Sequence, residues 1–428
     1  MFPLISPNLI WLGRSASEMY RIRYHRPEKS LPIDLPLSKS ISNRLRVLQY
    51  LYPKAIQVEK WSEAEDSLIL IKALQQQSDD YNFGLAGTSV RFFLAVAALE
   101  GRACTIDASE RGRQRPIKPL VDALRQLGSE IIYLNKEGHL PVQLLGGTEL
   151  RGGMVHLNAS VSSQFITSLL LIAPRMEKGL KIQWEGESVS SSYWQMSCVL
   201  MQELGIKVQE EEQSIEIEYT PSLEPQLVTI ESDWSSAAYP IQTLFASKQE
   251  LILKNLNAKS VQPDAILLKI LKPLGLRHKQ MGTNLLLWLD EPKQKTMEFP
   301  NINASNFPDL SISIAVLLGS LGIQFQLSGL ETLEGKESKR LSHLYSSLSQ
   351  IADLSLDEDL ATLKFGGVKK HEGILRLETA YDHRFVMAFT PLSSLFSVEL
   401  NEVESVVKSF PNFWTEISKL GFYHEKLS

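Results

Sequence analysis

The sequence lacks the features of disulfide-rich, membrane-spanning, zinc-binding and general nucleic-acid-binding proteins. Its two cysteines, Cys104 and Cys198, cannot form a disulfide framework and are typical of a reducing cytosol. No apolar run reaches the roughly 18–20 residues of a membrane span, and no Cys/His group has zinc-ligand spacing. The formal net charge of −5 argues against a general nucleic-acid surface. We therefore expect a cytoplasmic protein with no metal, no membrane contact and no nucleic-acid partner.

Residues 1–12 are apolar but lack the charged start of a signal peptide. Pro3 and Pro7 interrupt this stretch, and no basic residue precedes it. We expect either a disordered extension or a start site assigned too early, with Met19 as the alternative start.

One pattern recurs along the chain: an amphipathic helix ends in Leu-Gly or a variant of it, and an apolar, strand-like run follows. The copies end at 127, 204, 274, 351 and 420, the fourth being degenerate. A sixth copy is expected upstream, in a helix through Leu68, Ile71 and Leu74. Each terminal Gly suits a left-handed helix cap. Unless such endings recur by chance, the pattern predicts six α/β units in two halves of three.

Residues 37–44, which read Leu-Ser-Lys-Ser-Ile-Ser-Asn-Arg, have the composition of a helix start. They follow Pro36 and lead into apolar residues of helical spacing. A helix start offers unpaired backbone N–H groups and the positive end of the helix dipole. Lys39 and Arg44 add positive charge. Two interpretations stay open here, an anion-binding site and an ordinary capped helix with solvated charges.

Two further helix starts and several basic clusters favour the anion site. The helix starts are expected in residues 85–91, with Thr88 and Ser89 as caps, and in residues 161–164. The first is not a Walker loop, because it lacks the Gly-Lys-Ser/Thr ending. The basic clusters contain Arg111, Arg113, Arg115, Lys118, Lys336, Lys339, Arg340, Arg384 and Lys408. Such clusters in both halves of an acidic chain favour a shared anionic ligand.

Nine stretches, in this order along the chain, resemble the 5-enolpyruvylshikimate-3-phosphate (EPSP) synthase family of enolpyruvyl transferases. The stretches are residues 38–44, 86–91, 115–117, 161–165, 233–237, 308–309, 336–340, 382–384 and 408–411. Each motif alone is weak, but nine in order are specific.

The resemblance implies an α/β fold of two inside-out α/β barrel domains, each built from three βαβαββ units. The chain would cross between the domains just before Ser38 and close to Asp233. One domain would comprise residues 36–230, and the other residues 1–35 and 231–428. The active site would lie in the cleft between them. The family also implies a monomer without a cofactor.

The implied reaction transfers the enolpyruvyl group of phosphoenolpyruvate to the 5-hydroxyl of shikimate 3-phosphate and releases phosphate, in chorismate and aromatic amino-acid biosynthesis. The residues implied for acid–base catalysis are Asp309, Glu337 and Lys39. Those implied for phosphoenolpyruvate are Lys39, Gly87, Arg115, Gln164, Arg340, Arg384 and Lys408. Those implied for shikimate 3-phosphate are Lys39, Ser40, Arg44, Ser162, Ser163, Gln164, Ser190, Tyr193, Asp309, Thr332 and Lys336. Gly87 would also border the site at which the herbicide glyphosate competes with phosphoenolpyruvate.

The sequence departs from the family pattern at several positions near these residues. Lys339 stands where the family usually has Asp, and Thr332 replaces a substrate-binding Asn. Leu85 replaces an Asn, Ser38 a Gly and Phe92 a common Pro. None of these changes removes a charged residue implied above, although the loss of the amide at position 332 is expected to weaken binding of shikimate 3-phosphate.

Two alternative functions stay open from the sequence. The first is an enolpyruvyl transferase acting on UDP-N-acetylglucosamine, a related family that carries a Cys a few residues before its Arg-Pro pair. Residues 107–115 contain no Cys, and Cys104 lies upstream in a strand-like run. The second alternative is a catalytically inactive relative that only binds anions, which the departures at Lys339 and Thr332 favour and the presence of Asp309 and Glu337 opposes.

Overall fold

The computed structural model describes residues 18–29, 31–147, 149–158, 162–185, 191–291, 301–334 and 338–427. Its α-helices, in chain order, are α1 (Lys39–Leu51), α2 (Glu65–Gln75), α3 (Gly87–Leu99), α4 (Glu110–Arg113), α5 (Lys118–Gln126), α6 (Ser163–Ile172), α7 (Ser191–Glu203), α8 (Trp234–Ser247), α9 (Leu267–Leu271), α10 (Ser311–Ser320), α11 (Arg340–Leu348), α12 (His383–Phe389) and α13 (Phe413–Ser418). Short 3₁₀ helices span Ala173–Arg175, Pro263–Ile266, Lys272–Leu274, Pro308–Leu310, Glu331–Leu333, Thr390–Ser394 and Val403–Lys408.

The β-strands, in chain order, are β1 (Met19–Tyr24), β2 (Ile56–Val58), β3 (Asp80–Asn82), β4 (Ala103–Asp107), β5 (Ile131–Tyr133), β6 (Val142–Leu145), β7 (Gly153–Asn158), β8 (Leu180–Glu185), β9 (Val208–Glu211), β10 (Ser214–Ile217), β11 (Gln226–Val228), β12 (Leu251–Leu253), β13 (Leu276–Met281), β14 (Asn284–Leu289), β15 (Ile302–Asn303), β16 (Phe325–Ser328), β17 (Ala352–Asp357), β18 (Thr362–Val368), β19 (Ile374–Leu377), β20 (Ser397–Asn401) and β21 (Phe422–Lys426).

Three of the sheets share the strand order of a βαβαββ unit. These are the sheets β3-β4-β6-β5, β7-β8-β10-β9 and β15-β16-β18-β17. In each, the first two strands are parallel, with a helix between them, and the last two form an antiparallel hairpin. The sheet β19-β20-β1-β21 has the same order, with β1 from the start of the chain in the fourth strand's place. The predicted α/β class is therefore confirmed, while the closure of the sheets into inside-out barrels stays a prediction.

The buried apolar side chains form two separate clusters. The first core draws on residues 41–230, and the second core draws on residues 22–35 and 234–422. Helices α3 and α10 are buried on nearly every side, one in each core. Their sequences are apolar around the whole helix, which is the pattern of a helix enclosed by other elements.

The chain passes between the two cores at two adjacent points. The Ser38 backbone N–H donates to the Glu231 carbonyl at 2.9 Å, and the Asp233 N–H donates to the Pro36 carbonyl at 2.9 Å. Leu37 therefore pairs antiparallel with Ser232. The two crossing segments hold each other, and both lead directly into helices, α1 and α8.

The helix ends follow the sequence signals with one exception. Gly128, Gly205, Gly275 and Gly421 all have left-handed φ angles, between 88° and 102°, as predicted for the recurring Leu-Gly endings. Thr88 and Ser89, however, are not caps, because α3 begins at Gly87 with Ala86 as its N-cap residue and no side-chain cap. The Ser89 hydroxyl instead donates to the backbone carbonyl of Asp66 at 2.6 Å. A hydrogen bond to a neighbouring helix thus replaces the capping interaction that the local pattern predicted for Ser89.

Within the described ranges, none of the helices is long and apolar enough to cross a membrane.

Candidate active site

A pocket between the two cores is lined by residues of both. It has about 460 Å³ of empty volume, and its polar lining residues are Lys39, Ser40, Tyr193, Asp233, Ser235, Ser236, Tyr239, Asp309, His383, Arg384 and Ser409. Helices α1, α8 and α12 all begin at this pocket, with Ser38, Asp233 and Asp382 as their N-cap residues. The positive ends of the helix dipoles therefore add to the cationic side chains there.

Lys39 is the first residue of α1 and lines the pocket. Its Nζ atom lies 3.1 Å from the Oδ2 atom of Asp66, at the start of α2, and the Asp66 side chain is almost wholly buried. The Ser38 hydroxyl accepts a hydrogen bond from the Ile41 N–H at 3.3 Å and fixes the start of the helix. The ammonium group is therefore held at the cleft by a buried carboxylate.

Gly87 lies directly against Arg115. The Arg115 NH1 atom donates to the carbonyl of Leu85 at 3.2 Å. A Cβ atom built on Gly87 would lie 2.4 Å from that same NH1 atom, which is closer than any real Cβ contact. The absence of a side chain at position 87 is thus what lets this guanidinium lie across the start of α3.

Arg91 joins the predicted substrate residue Gln164 to the backbone next to Arg115. Its NH1 atom donates to the Gln164 side-chain oxygen, and its NH2 atom donates to the Pro116 carbonyl at 3.0 Å. Burial lowers the pKa of Arg91 to about 9, and the neighbouring charge of Arg115 acts in the same direction. Arg91 therefore orients Gln164 and adds to the positive potential beside Arg115.

Arg44 is buried between α1 and α7. Its guanidinium donates to the Ser197 hydroxyl at 2.7 Å, the Ser40 carbonyl at 2.8 Å and the Tyr193 carbonyl at 2.9 Å. Burial lowers its pKa to about 10. In this structure Arg44 fixes the backbone of two pocket residues, Ser40 and Tyr193.

Asp309 lies between two guanidinium groups on the wall formed by the second core. The Arg340 NH1 atom donates to its Oδ1 atom at 3.0 Å, and the Arg384 NH2 atom donates to its Oδ2 atom at 2.9 Å. Both carboxylate oxygens are therefore held in fixed directions by charge-assisted hydrogen bonds.

Asp382 also binds both of these arginines, Arg340 through its side chain and Arg384 through its backbone N–H. Its Oδ2 atom accepts from the Arg340 Nε atom at 2.6 Å and from the Ser338 hydroxyl at 3.1 Å. Its Oδ1 atom caps α12 by accepting from the Arg384 backbone N–H at 3.1 Å. Arg340 is almost wholly buried between Asp309 and Asp382, whereas the side chain of Lys339, where the family usually has Asp, is exposed.

His383 connects α12 to the segment that carries Lys408. Its Nε2 atom lies 2.8 Å from the Ser409 hydroxyl, one residue beyond the 3₁₀ helix that ends at Lys408. Lys408 is half-buried at the end of that helix. The predicted cations of the second core are thus supported by a small set of buried polar side chains.

The remaining predicted residues are distributed as follows. Ser162 caps α6 by accepting from the Gln164 N–H at 3.4 Å, and Ser163 is buried in the first turn of that helix. The Thr332 hydroxyl is buried and makes no hydrogen bond to any described part of the chain. Ser190, Lys336 and Glu337 lie outside the described residues.

Several residues of the site were not predicted. Asp66 and Asp264 approach the site from parts of the chain whose local sequence gives no sign of it. Arg91, Ser235 and Asp382 lie within motifs that carry the family resemblance, and that signal could have assigned them a role.

Comparison with known proteins identifies close matches over most of the chain. A sequence profile for EPSP synthase (3-phosphoshikimate 1-carboxyvinyltransferase) matches residues 28–417. A 3-phosphoshikimate 1-carboxyvinyltransferase from Bacteroides fragilis (strain YCH46) is 32% identical over 394 residues, which cover 91% of this chain and 95% of the relative. A pentafunctional AROM polypeptide from Candida tropicalis is 28% identical over 441 residues, covering 91% of this chain and 28% of that polypeptide.

Solved structures match the fold. An EPSP synthase from Acinetobacter baumannii superposes with a TM-score of 0.73 at 18% identity, covering 96% of this chain and all of that one. The enolpyruvyl transferase NikO from Streptomyces tendae superposes with a TM-score of 0.71 at 13% identity, with the same coverage. At these identities the superpositions establish the two-domain α/β fold.

Proposed function

The chain belongs to the EPSP synthase (3-phosphoshikimate 1-carboxyvinyltransferase) family, and from this premise we propose how its own residues carry out the family's reaction. The enzyme transfers the enolpyruvyl group of phosphoenolpyruvate to the 5-hydroxyl of shikimate 3-phosphate and releases phosphate. This assignment of residues rests on one observation. Asp309, which accepts hydrogen bonds from Arg340 and Arg384, lines the same cleft pocket as Lys39.

We propose that cations from both cores hold the two anionic substrates. Phosphoenolpyruvate would contact the Gly87 backbone and the side chains of Lys39, Arg115, Gln164, Arg340, Arg384 and Lys408. Shikimate 3-phosphate would contact Lys39, Ser40, Arg44, Ser162, Ser163, Gln164, Ser190, Tyr193, Asp309, Thr332 and Lys336. Planar guanidinium groups suit the carboxylate and phosphate through paired hydrogen bonds. Anions in the cleft would also offset the repulsion between cations on its two walls.

The proposed chemistry needs one base and one acid. Asp309 would take the proton of the attacking 5-hydroxyl, whose oxygen adds to C2 of phosphoenolpyruvate. Glu337, with Lys39, would deliver a proton to the methylene carbon C3. The tetrahedral adduct then expels phosphate and loses a proton from C3, which regenerates the enol double bond. Holding both substrates in one cleft supplies proximity that free reactants lack.

We further propose the division into domains of residues 36–230 and of residues 1–35 with 231–428. Two separate apolar cores and the paired crossing at Leu37 and Ser232 support it. We also propose that the protein is a cytoplasmic monomer that needs no cofactor and binds neither membrane nor nucleic acid.

A coupled phosphate-release assay tests the function. Phosphate should appear only when phosphoenolpyruvate and shikimate 3-phosphate are both present. The control reaction replaces shikimate 3-phosphate with UDP-N-acetylglucosamine and should release none. Phosphate release with the nucleotide sugar instead would support the related transferase, and binding of both substrates without any release would support an inactive anion-binding protein.

Replacing Cys104 and Cys198 together with Ala is expected to preserve turnover. Both thiols are buried, and burial raises the pKa of Cys104 to about 11 and raises that of Cys198 as well. Neither sulfur is therefore a thiolate at neutral pH. Turnover measured alongside the melting temperature checks this. Loss of turnover in a folded Cys104→Ala variant would contradict it and favour the UDP-N-acetylglucosamine reaction.

Gly87→Ala is expected to raise the inhibition constant of glyphosate about tenfold or more beyond any rise in KM for phosphoenolpyruvate. The new methyl group would displace the Arg115 guanidinium, which weakens substrate binding to some extent. It would also occupy space that the longer inhibitor needs more than the substrate does. Steady-state inhibition kinetics measure both constants.

Gly366→Ala is the matched control for Gly87→Ala. A Cβ atom there would meet only Asp353 atoms, at 3.5 Å or more, and should change neither constant. Equal rises of both constants in Gly87→Ala, or a wild-type enzyme that glyphosate does not inhibit, would show that Gly87 does not border the shared site.

A further inference from the structure

The segment 260–264 wraps around the second crossing of the chain. Its side chains at alternate positions reach the crossing strand. The Ser260 hydroxyl donates to the Glu231 carboxylate, and the Gln262 amide donates to the Ser232 carbonyl at 2.8 Å. The third side chain, that of Asp264, accepts a hydrogen bond from the Ser235 hydroxyl through its Oδ2 atom. Ser235 itself lines the cleft pocket, so Asp264 lies immediately behind the pocket wall.

Asp264 is a buried carboxyl group with one oxygen unused. The residue is 3% exposed, and its Oδ1 atom has no hydrogen-bond partner in the described part of the chain. A buried polar atom without a partner costs about 1–3 kcal/mol. Such an atom needs an explanation, and a functional role at the site is one of the recognised explanations.

A second buried polar atom without a partner lies on the facing element. Tyr193, on α7 of the first core, lines the cleft pocket, and its hydroxyl makes no hydrogen bond to any described residue. Helix α7 contacts the 3₁₀ helix Pro263–Ile266, which carries Asp264. Burial raises the pKa of the Tyr193 hydroxyl well above its usual value, and among neighbouring charges that of Asp264 contributes most. The two unused atoms therefore belong to elements that contact each other across the boundary between the cores, although they are not hydrogen-bonded to each other in this structure.

We propose that Asp264 is a positioning residue of the active site: when the substrates fill the cleft, its carboxyl group donates a hydrogen bond to the Tyr193 hydroxyl across the boundary and so directs the hydroxyl proton of Tyr193 toward the phosphorylated substrate. The inference rests on the function proposed above, in which Tyr193 belongs to the shikimate 3-phosphate site. Ser235 fixes the carboxyl by donating to Oδ2, which leaves Oδ1 to carry the proton.

The burial of Asp264 favours the protonated carboxyl that this arrangement needs. Burial raises the pKa of Asp264 to about 7, and the nearby Asp309 and Asp233 act in the same direction, whereas Ser235 and Arg384 lower it. Within the described residues, three elements pack against its 3₁₀ helix. Besides Tyr193, α7 carries the buried Cys198 and the exposed Glu203, whereas α8 carries only Tyr239 as an ionisable side chain and α9 carries the exposed Lys269. Above about pH 7 the ionised carboxylate would instead accept the Tyr193 proton, and the hydroxyl could no longer donate to an anion.

The first test compares Asp264→Asn with the wild-type enzyme across pH. An Asn amide mimics the neutral carboxyl because it accepts from Ser235 and donates to Tyr193. The ratio of the wild-type KM for shikimate 3-phosphate to that of Asp264→Asn cancels the titration of the substrate itself. We expect this ratio to stay near its low-pH value at pH 6 and to rise about tenfold by pH 8.5. A ratio that does not change with pH would overturn the proposal.

The second test is a double-mutant cycle with Asp264→Ala and Tyr193→Phe. Each single change should raise KM for shikimate 3-phosphate about tenfold with a smaller effect on kcat, and the double variant should be no worse than either. Additive effects would overturn the proposal. The matched control is Glu416→Gln, a buried carboxylate of the second core that accepts from the Asp34 N–H away from the pocket, and it should leave KM unchanged.

These outcomes are separable from failure of the proposed function. A wild-type enzyme without phosphate release would refute the function, whereas an active wild type with additive variants would refute only the role of Asp264. If Asp264→Ala does not fold, as its melting curve would show, the pH ratio of Asp264→Asn decides the question.

Discussion

Asp309→Asn is expected to lower turnover by about 10²-fold or more, because it removes the proposed base for the 5-hydroxyl of shikimate 3-phosphate. The amide keeps the size of the side chain and can accept from only one of the two guanidinium groups that now hold it, those of Arg340 and Arg384. Phosphate release at saturating concentrations of both substrates measures the effect on kcat.

The size of the effect on kcat relative to KM separates a base from a charge that only positions the arginines. Loss of a base mainly lowers kcat, whereas misplaced arginines would mainly raise KM for phosphoenolpyruvate. Asp122→Asn, which alters an exposed ion pair with Lys118 on α5, is the matched control and should leave both constants unchanged. Near-normal kcat in Asp309→Asn would show that another group takes the proton.

Local features of the fold were predictable because their causes are local. Ser38 and Ser162 cap helices at the positions where small hydroxyl residues precede apolar periodic runs. The recurring Leu-Gly endings have left-handed glycines because a Cβ is unfavourable there. In each case the interacting atoms lie within a few residues of one another, so the sequence pattern contains the whole interaction.

Pairings across the chain were not predictable from such patterns. Lys39 lies beside Asp66, 27 residues on, and Arg384 reaches Asp309, 75 residues away. Arg44 donates to the Tyr193 carbonyl over a separation of 149 residues. The atoms of each pair come together only when the core to which they belong has folded. The family resemblance supplied a list of site residues, but it did not reveal which of them hold one another.

The failed prediction at Ser89 illustrates the same limit. A hydroxyl near a helix start reads as a cap, yet its hydrogen bond goes to the Asp66 carbonyl on the neighbouring helix. That bond joins α3 to α2 next to the carboxylate that holds Lys39. A tertiary contact at the active site thus replaced the local interaction, and no pattern within residues 85–91 could have shown it.

Asp382→Ala is expected to lower the free energy of unfolding of the second core by about 3–5 kcal/mol, because it leaves a buried guanidinium without its main counter-charge. Arg340 is 1% exposed and Asp382 is fully buried, and two hydrogen bonds join them, at 2.6 Å and 3.3 Å. The same substitution removes the side-chain cap of α12, which adds about 1 kcal/mol in the same direction. Urea denaturation followed by tryptophan fluorescence measures the change, and the signal follows both cores, since Trp184 and Trp194 lie in the first and Trp234 in the second.

Comparison with two other variants distinguishes this mechanism from general destabilisation. Glu425→Ala removes an exposed ion pair with Arg23 at 3.0 Å and should cost no more than about 1 kcal/mol. Asp382→Asn keeps the shape and an acceptor, so it should lie between the two. In Asp382→Ala, Arg340 would keep its bond to Asp309 but lose both bonds to residue 382, and KM for phosphoenolpyruvate should rise as the guanidinium shifts. A variant as stable as Glu425→Ala, with an unchanged KM, would mean that the Arg340–Asp382 pair neither stabilises the second core nor fixes the arginine for its substrate.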